Sequence, residues 1–163
     1  MFDRELTIYA FLLDYGTNLA ADIDDARFAD QPSPGVNHPA WLFGHLAIAA
    51  DYTLGLLGAE KRLRRSWTRD FGPTSAAKTD RSAYPAKATL LEAWTAGHKA
   101  VESAVRASTG LDLDRPHGFE IGTMATTLPT VGDMLAHLLT SHEAAHLGHL
   151  SNWRRQVGLP YLF

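Results

Sequence analysis

The sequence contains no cysteine among its 163 residues. This absence excludes a disulfide framework, a cysteine-based zinc site and a catalytic thiol that belongs to the protein itself. No apolar run approaches the ~18 residues that a membrane-spanning helix requires, and the first residues do not resemble a signal peptide. We therefore expect a cytoplasmic protein with no membrane partner, although a lack of cysteine fits any compartment.

Charge of one sign is not in large excess either, since the formal net charge is −3. Domains that bind nucleic acids are usually strongly basic, so we expect no nucleic-acid partner. An apolar content of 45% and a charged content of 20% are ordinary for a soluble globular protein. The length is that of one domain, which we assign to residues 1–163.

Long strand-like alternation, internal repeats and low-complexity tracts are also missing from the sequence. Apolar residues instead recur with a helical period in four segments. These segments are residues 3–21, 37–58, 88–108 and 130–155. A structureless connection over residues 59–87 would be unusually long, which predicts a short helix within it. The pattern as a whole predicts an all-α fold, a four-helix bundle.

Histidine is plentiful, and its placement is the most informative feature of the sequence. The last segment begins at Thr130, which we expect to cap one long helix together with Asp133. One face of that helix carries three apolar and three imidazole side chains: Leu135, Leu139, His142, His146, His149 and Trp153. An inward-facing stripe that is half histidine calls for a chemical explanation.

His142 and His146 lie one helical turn apart, so both rings can reach one metal ion. With Glu143 between them they form H-E-x-x-H, the zinc motif of many metalloproteases. No Asp, Glu or His follows His149, so no downstream third ligand is present and the protease interpretation fails. A third ligand must therefore come from an earlier part of the chain.

His45 is the best third ligand, because it lies in mid-helix on an apolar face, next to Gly44. His38 is its rival, but we expect water to reach that helix start. His137 lies about 140° round the helix from His142 and should point elsewhere. Three histidine nitrogens with open positions are typical of a catalytic metal site. The alternative is that the histidines are ordinary residues of a bundle core.

Two further residues are candidates for catalysis. Glu143 and His149 flank the His142/His146 pair, and either can act on a metal-bound water or substrate. His149 is too far along the helix for one ion to bind it together with both other histidines. We predict that His149 is a pocket residue near the metal; the alternative is a histidine merely hydrogen-bonded between helices.

Two other features have a structural and a functional interpretation. The basic residues of segment 61–69 are more simply a solvated face than an anion site, and the functional alternative is an anchor for a carboxylate-bearing substrate. His98 lies on the apolar face of the third segment. A lone histidine there is more often a packed residue than a ligand.

Three motifs together resemble the DinB/YfiT-like family of four-helix-bundle metalloenzymes. They are Asn37-His-Pro-Ala-Trp-Leu-Phe-Gly-His45-Leu, the run from Pro129-Thr-Val-Gly-Asp to His142-Glu-Ala-Ala-His146-Leu-Gly, and Trp153-Arg-Arg. The resemblance implies an up-down-down-up bundle that is often dimeric. It also implies zinc or nickel bound at His45, His142 and His146. Relatives commonly have glutamine where this chain has His149.

Characterised members of that family include thiol transferases that use bacillithiol or mycothiol and a mycothiol-dependent isomerase. The resemblance therefore implies a metal-dependent enzyme acting on a small molecule, either a low-molecular-weight-thiol transferase or a hydrolase. It also implies a homodimer. The competing hypothesis is a non-catalytic bundle that binds a ligand or partner and in which the histidines are structural.

Overall fold

The computed structural model describes residues 2–120 and 122–162, and within them the chain is helical. The helices are α1 (Asp3–Ala21), α2 (Pro39–Leu56), α3 (Arg65–Phe71), α4 (Lys87–Ala107), α5 (Met124–Thr127), α6 (Val131–Leu139) and α7 (Ser141–Gln156). The described residues form no strand, only an isolated antiparallel bridge between Pro116 and Thr130. The predicted all-α class is confirmed, and so is a short helix between the second and third long segments.

The directions of the long helices follow from the residues that share a core. One cluster joins the end of α1 at Leu19 to the starts of α2 and α4, at Trp41 and Leu90, and to the end of α7 at Trp153. A second cluster joins the start of α1 to the ends of α2 and α4 and to Leu139 of α6. Helices α2 and α4 therefore run in parallel, antiparallel to α1 and α7, which gives the expected up-down-down-up bundle.

Local signals account for several helix starts. Thr130 and Asp133 form the predicted capping box at the start of α6, each side chain bonding the other's backbone N–H. Pro39 occupies the first turn of α2, where its missing N–H costs nothing. The start of α4 is capped by a residue far away in the sequence, since the Asp25 carboxylate accepts the Lys87 N–H at 2.6 Å.

The single helix predicted over residues 130–155 is wrong, because the chain breaks at Thr140. This residue has φ −136° and ψ −88°, far from helical values, and separates α6 from α7. Its hydroxyl donates to the Ala136 carbonyl at 2.6 Å. Such a side-chain bond gives the backbone an alternative to the helical ladder. The break changes the relative rotation of residues on its two sides.

Segment 59–87 is tied to α2 at two places. The ring of Phe71, at the end of α3, packs on Gly44 so closely that a Cβ there would lie 2.2 Å from it. The buried carboxylate of Asp51 accepts the backbone N–H groups of Arg62 and Leu63. These contacts hold the segment against one side of the bundle.

Within the part of the chain that the structure describes, no helix combines the length and the apolar character needed to cross a bilayer.

Candidate metal centre

Three histidines from two helices meet on one side of the bundle. His45 of α2 and His142 and His146 of α7 each offer a ring nitrogen, and these atoms lie within 4.8 Å of one another. The Nε2 atoms of His45 and His142 are 3.3 Å apart. The ring centroids of His45 and His146 are 4.6 Å apart. The three side chains predicted as metal ligands are therefore brought together.

The orientation of His45 is determined by its neighbours. Its Nδ1–H donates to the backbone carbonyl of Phe71 at 2.8 Å. In a neutral imidazole this leaves the lone pair on Nε2, the atom that faces His142. The ring also stacks on Trp41, with centroids 4.7 Å apart. Hydrogen bonding of the second ring nitrogen to a carbonyl is typical of metal-binding histidines.

All three rings are held in the neutral form. Burial lowers the pKa of His45, and burial followed by the neighbouring imidazoles lowers the pKa of His142 to about 3 and that of His146 to about 2. Neutral imidazoles are the form that binds metal ions, so no proton competes at neutral pH.

The arrangement also contains unsatisfied polar atoms. The Nδ1 atoms of His142 and His146 are buried and have no hydrogen-bond partner among the described residues. Buried polar atoms normally have a partner, and a metal ion is one kind of partner for imidazole nitrogen. The residues present thus fit a three-nitrogen site for a divalent transition metal, with coordination positions left for a ligand.

The three histidines open onto a cavity of about 500 Å³, a size that suits a small organic molecule. Its walls are mostly apolar and come mainly from α2 and α6, with further residues from α3, α5 and the segments that flank them. The wall residues include Trp41, Ile48, Ala49, Tyr52, Pro73, Phe119, Met124, Met134 and Leu138, and the polar ones include Asp51, Lys61, Thr68 and His137.

His137 lines this cavity, contrary to the prediction that it points elsewhere. The prediction assumed one continuous helix, and the break at Thr140 invalidates the calculated angle. The ring of His137 lies 5.5 Å from that of His142, edge to face, and its Nδ1 is hydrogen-bonded to the Ser141 hydroxyl at 2.8 Å. Sequence periodicity contains no signal for this placement.

His38, the rival third ligand, has a structural role. We expected water to reach it, but its side chain is fully buried. Its Nδ1 accepts the Trp41 N–H at the start of α2, and its Nε2–H donates to the Lys78 carbonyl at 2.8 Å. Both ring nitrogens are occupied, so His38 caps a helix and is absent from the metal-ligand cluster.

Glu143 points away from the cavity, on a face of α7 about 80° round the helix from the His142/His146 pair. Its buried carboxylate accepts the indole N–H of Trp94 at 2.8 Å and the Nε2–H of His98 at 2.6 Å. His98 in turn stacks on Tyr9, with centroids 3.7 Å apart, so its expected role as a packed residue is confirmed. The catalytic role of Glu143 stays a prediction, and its contacts favour an anchoring role.

His149 is exposed at the surface of α7. Its ring centroid lies 5.9 Å from that of His146, and it is neither among the clustered ligands nor among the residues that line the cavity. Its predicted role in proton transfer stays a prediction.

Comparison with known proteins agrees with the helical fold. The sequence profile of the DinB superfamily matches residues 14–150. A solved structure, described as a conserved protein from Enterococcus faecalis, has the same fold with a TM-score of 0.72. It is 17% identical, and the match covers 96% of each chain. No curated protein sequence matches significantly. The extent of the profile match shows that the chain belongs to the DinB superfamily.

Proposed function

We propose that the protein is a metal-dependent enzyme that binds zinc or nickel through His45, His142 and His146. The observation that carries the proposal is the cluster of three neutral imidazoles, within 4.8 Å of one another, at the wall of a cavity of about 500 Å³. A structural metal site is normally closed by four protein ligands, whereas a catalytic site leaves a position for water or substrate.

The reaction we propose is transfer of a low-molecular-weight thiol to a small electrophile, or hydrolysis of a small molecule. When bound, the metal ion would supply Lewis acidity, which lowers the pKa of a coordinated thiol or water. Since the chain has no cysteine, a reacting thiol must enter as a separate molecule. The cavity is large enough for two small reactants.

The chain's own residues would bind and orient the reactants. The Phe71 carbonyl holds the His45 ring in place, and the stacked Trp41 ring restricts its rotation. The apolar walls exclude water from the reacting groups, which strengthens electrostatic interactions there. We assign His149, whose ring centroid lies 5.9 Å from that of His146, as the candidate proton acceptor.

The test is metal analysis of protein purified without chelator, together with zinc and nickel titrations. We expect about one ion per chain, lost in His142→Ala and His146→Ala. His149→Gln is the matched control on the same helix and should retain the ion. Absence of metal and of any binding to added zinc or nickel would refute the proposal. A lower melting temperature in His142→Ala without a change in metal content would favour the non-catalytic bundle.

A further inference from the structure

We infer that the cavity binds organic anions, molecules with an apolar body and one carboxylate group, and that Lys61 pairs with the carboxylate. The inference deepens the proposed function, since it names a substrate class for the same site. It rests on the charge and polarity of the cavity walls rather than on the metal.

The walls select an apolar body. Ile48, Tyr52, Phe119, Met124 and Leu138 all face the cavity. Burial of apolar surface is worth roughly 25 cal/mol for each Å² removed from water. The Tyr52 hydroxyl is already engaged, since it donates to the His117 carbonyl at 3.3 Å. Most of the wall therefore offers packing and no hydrogen bonds.

Lys61 supplies the positive charge. Of the lysines and arginines in the described part of the chain, it alone lines the cavity. The neighbouring basic side chains of segment 61–69 lie outside, and Arg69 is paired with Asp70 at 2.7 Å. The Lys61 ammonium has no hydrogen bond or ion pair within residues 2–120 and 122–162. It is an exposed residue, whereas His45 is buried, so Lys61 marks the solvent side of the cavity.

The position of Lys61 is constrained through its neighbours in the backbone and through its own side chain. The next two residues donate their backbone N–H groups to the buried Asp51 carboxylate. The aliphatic stem of Lys61 lies against Gly55 of α2, where a Cβ would be 2.9 Å from its Cε. The charge is therefore presented at the cavity by a held segment.

Asp51, the acidic residue of the wall, is a weak competitor for the charge of Lys61. The Asp51 carboxylate also lines the wall, but one of its oxygens accepts both of those backbone N–H groups. Lys61 is the charged group left free to pair, so an anion is favoured over a cation.

The experiment compares three probes of one shape: 4-phenylbutyrate, its neutral amide and the corresponding amine. Binding to the full chain is followed by the fluorescence of Trp41, a wall residue, and by calorimetry, before and after chelation. We expect the carboxylate to bind chelated protein about three- to fivefold more tightly than the amide. Lys61→Met should abolish that difference while leaving amide binding unchanged. Arg65→Met, an exposed residue of the same segment outside the cavity, should retain it.

Four results would overturn the inference. They are tighter binding of the amine, equal binding of all three probes, an equal loss in Arg65→Met, and no binding of any probe. Because the decisive comparison uses chelated protein, it is independent of the metal. Loss of anion preference with metal content intact refutes only this inference, and absence of metal with the preference intact refutes only the proposed function.

Discussion

At the scale of single residues, the candidate site depends on how one imidazole is oriented. His45 projects from α2, but the hydrogen bond that orients it comes from the carbonyl of Phe71, at the end of α3. Gly44 permits that arrangement because the Phe71 ring occupies the space of a side chain there. Gly44 thus affects the orientation of His45 indirectly, by making room for Phe71.

We predict that Gly44→Ala weakens metal binding and lowers stability. Alanine is favoured over glycine in a helix by about 1 kcal/mol, but its Cβ would lie 2.2–2.5 Å from Phe71 ring atoms and displace them. The matched control is Gly148→Ala in α7, where a Cβ would meet no atom within 4 Å. This control should raise stability and leave zinc affinity unchanged. Metal titration and thermal denaturation of both variants provide the comparison; equal affinities would contradict the role of the Phe71 contact.

At the scale of elements, α7 makes polar contacts on two different faces. One side presents His142 and His146 to the cavity, and the other places Glu143 against Trp94 and His98 of α4. A buried carboxylate with two N–H donors resists rotation of the helix, because any rotation would leave buried polar groups without partners. In H-E-x-x-H the two histidines are therefore the candidate ligands, and the contacts of Glu143 favour an anchoring role over the protease-like one.

We predict that Glu143→Ala lowers the free energy of unfolding by about 1–3 kcal/mol, because two buried N–H donors lose their acceptor. Glu143→Gln keeps an acceptor oxygen and should lose less stability while retaining bound metal. Chemical denaturation and metal analysis measure both effects. If Glu143→Gln instead keeps full stability and metal but abolishes a measured activity, the carboxylate is catalytic and the anchoring role is wrong.

At the scale of the whole molecule, the partly buried His142 and His146 couple stability to pH. His142 and His146 have pKa values of about 3 and about 2 in the folded protein, below the ordinary 6.5. Between the folded and the ordinary pKa values, the histidines of the unfolded chain bind protons and those of the folded protein do not. Stability is therefore fully present above about pH 6.5 and falls as the pH falls towards 3.

We predict that metal-free protein loses up to about 2 kcal/mol for each histidine of this pair between pH 7 and pH 5. Carboxylates that are stabilised as ions remain charged over this interval, so they contribute little to the change. Urea denaturation at both pH values provides the measurement. The double variant His142→Gln/His146→Gln should show a smaller difference, and an unchanged difference would contradict the assignment.

The assembly of the molecule stays a prediction. Ile8 and Phe11 of α1 are 45% and 56% exposed, an apolar pair on the outer side of the bundle. Such residues are compatible with the homodimer that the family resemblance implied, and scattered exposed apolar residues also occur on monomers.

The features that the sequence by itself determined are those set within one helix. The long helices, the capping box at Thr130 and the pairing of His142 with His146 depend on spacings of three and four residues, which helix geometry converts into a common face. The inward position of His45 followed from the same periodicity. These features could be predicted because their partners lie one or two turns away.

Only the tertiary structure decided the surroundings of the three histidines. The break at Thr140 places His137 in the cavity, Phe71 reaches His45 from 26 residues away, and Glu143 turns to His98 across 45 residues. The cavity itself is walled partly by irregular segments on either side of α4. Their paths are set by contacts between distant residues, such as Asp51 with the backbone of Leu63. Periodicity carries no information about such contacts, because they depend on how the helices pack rather than on the helices themselves.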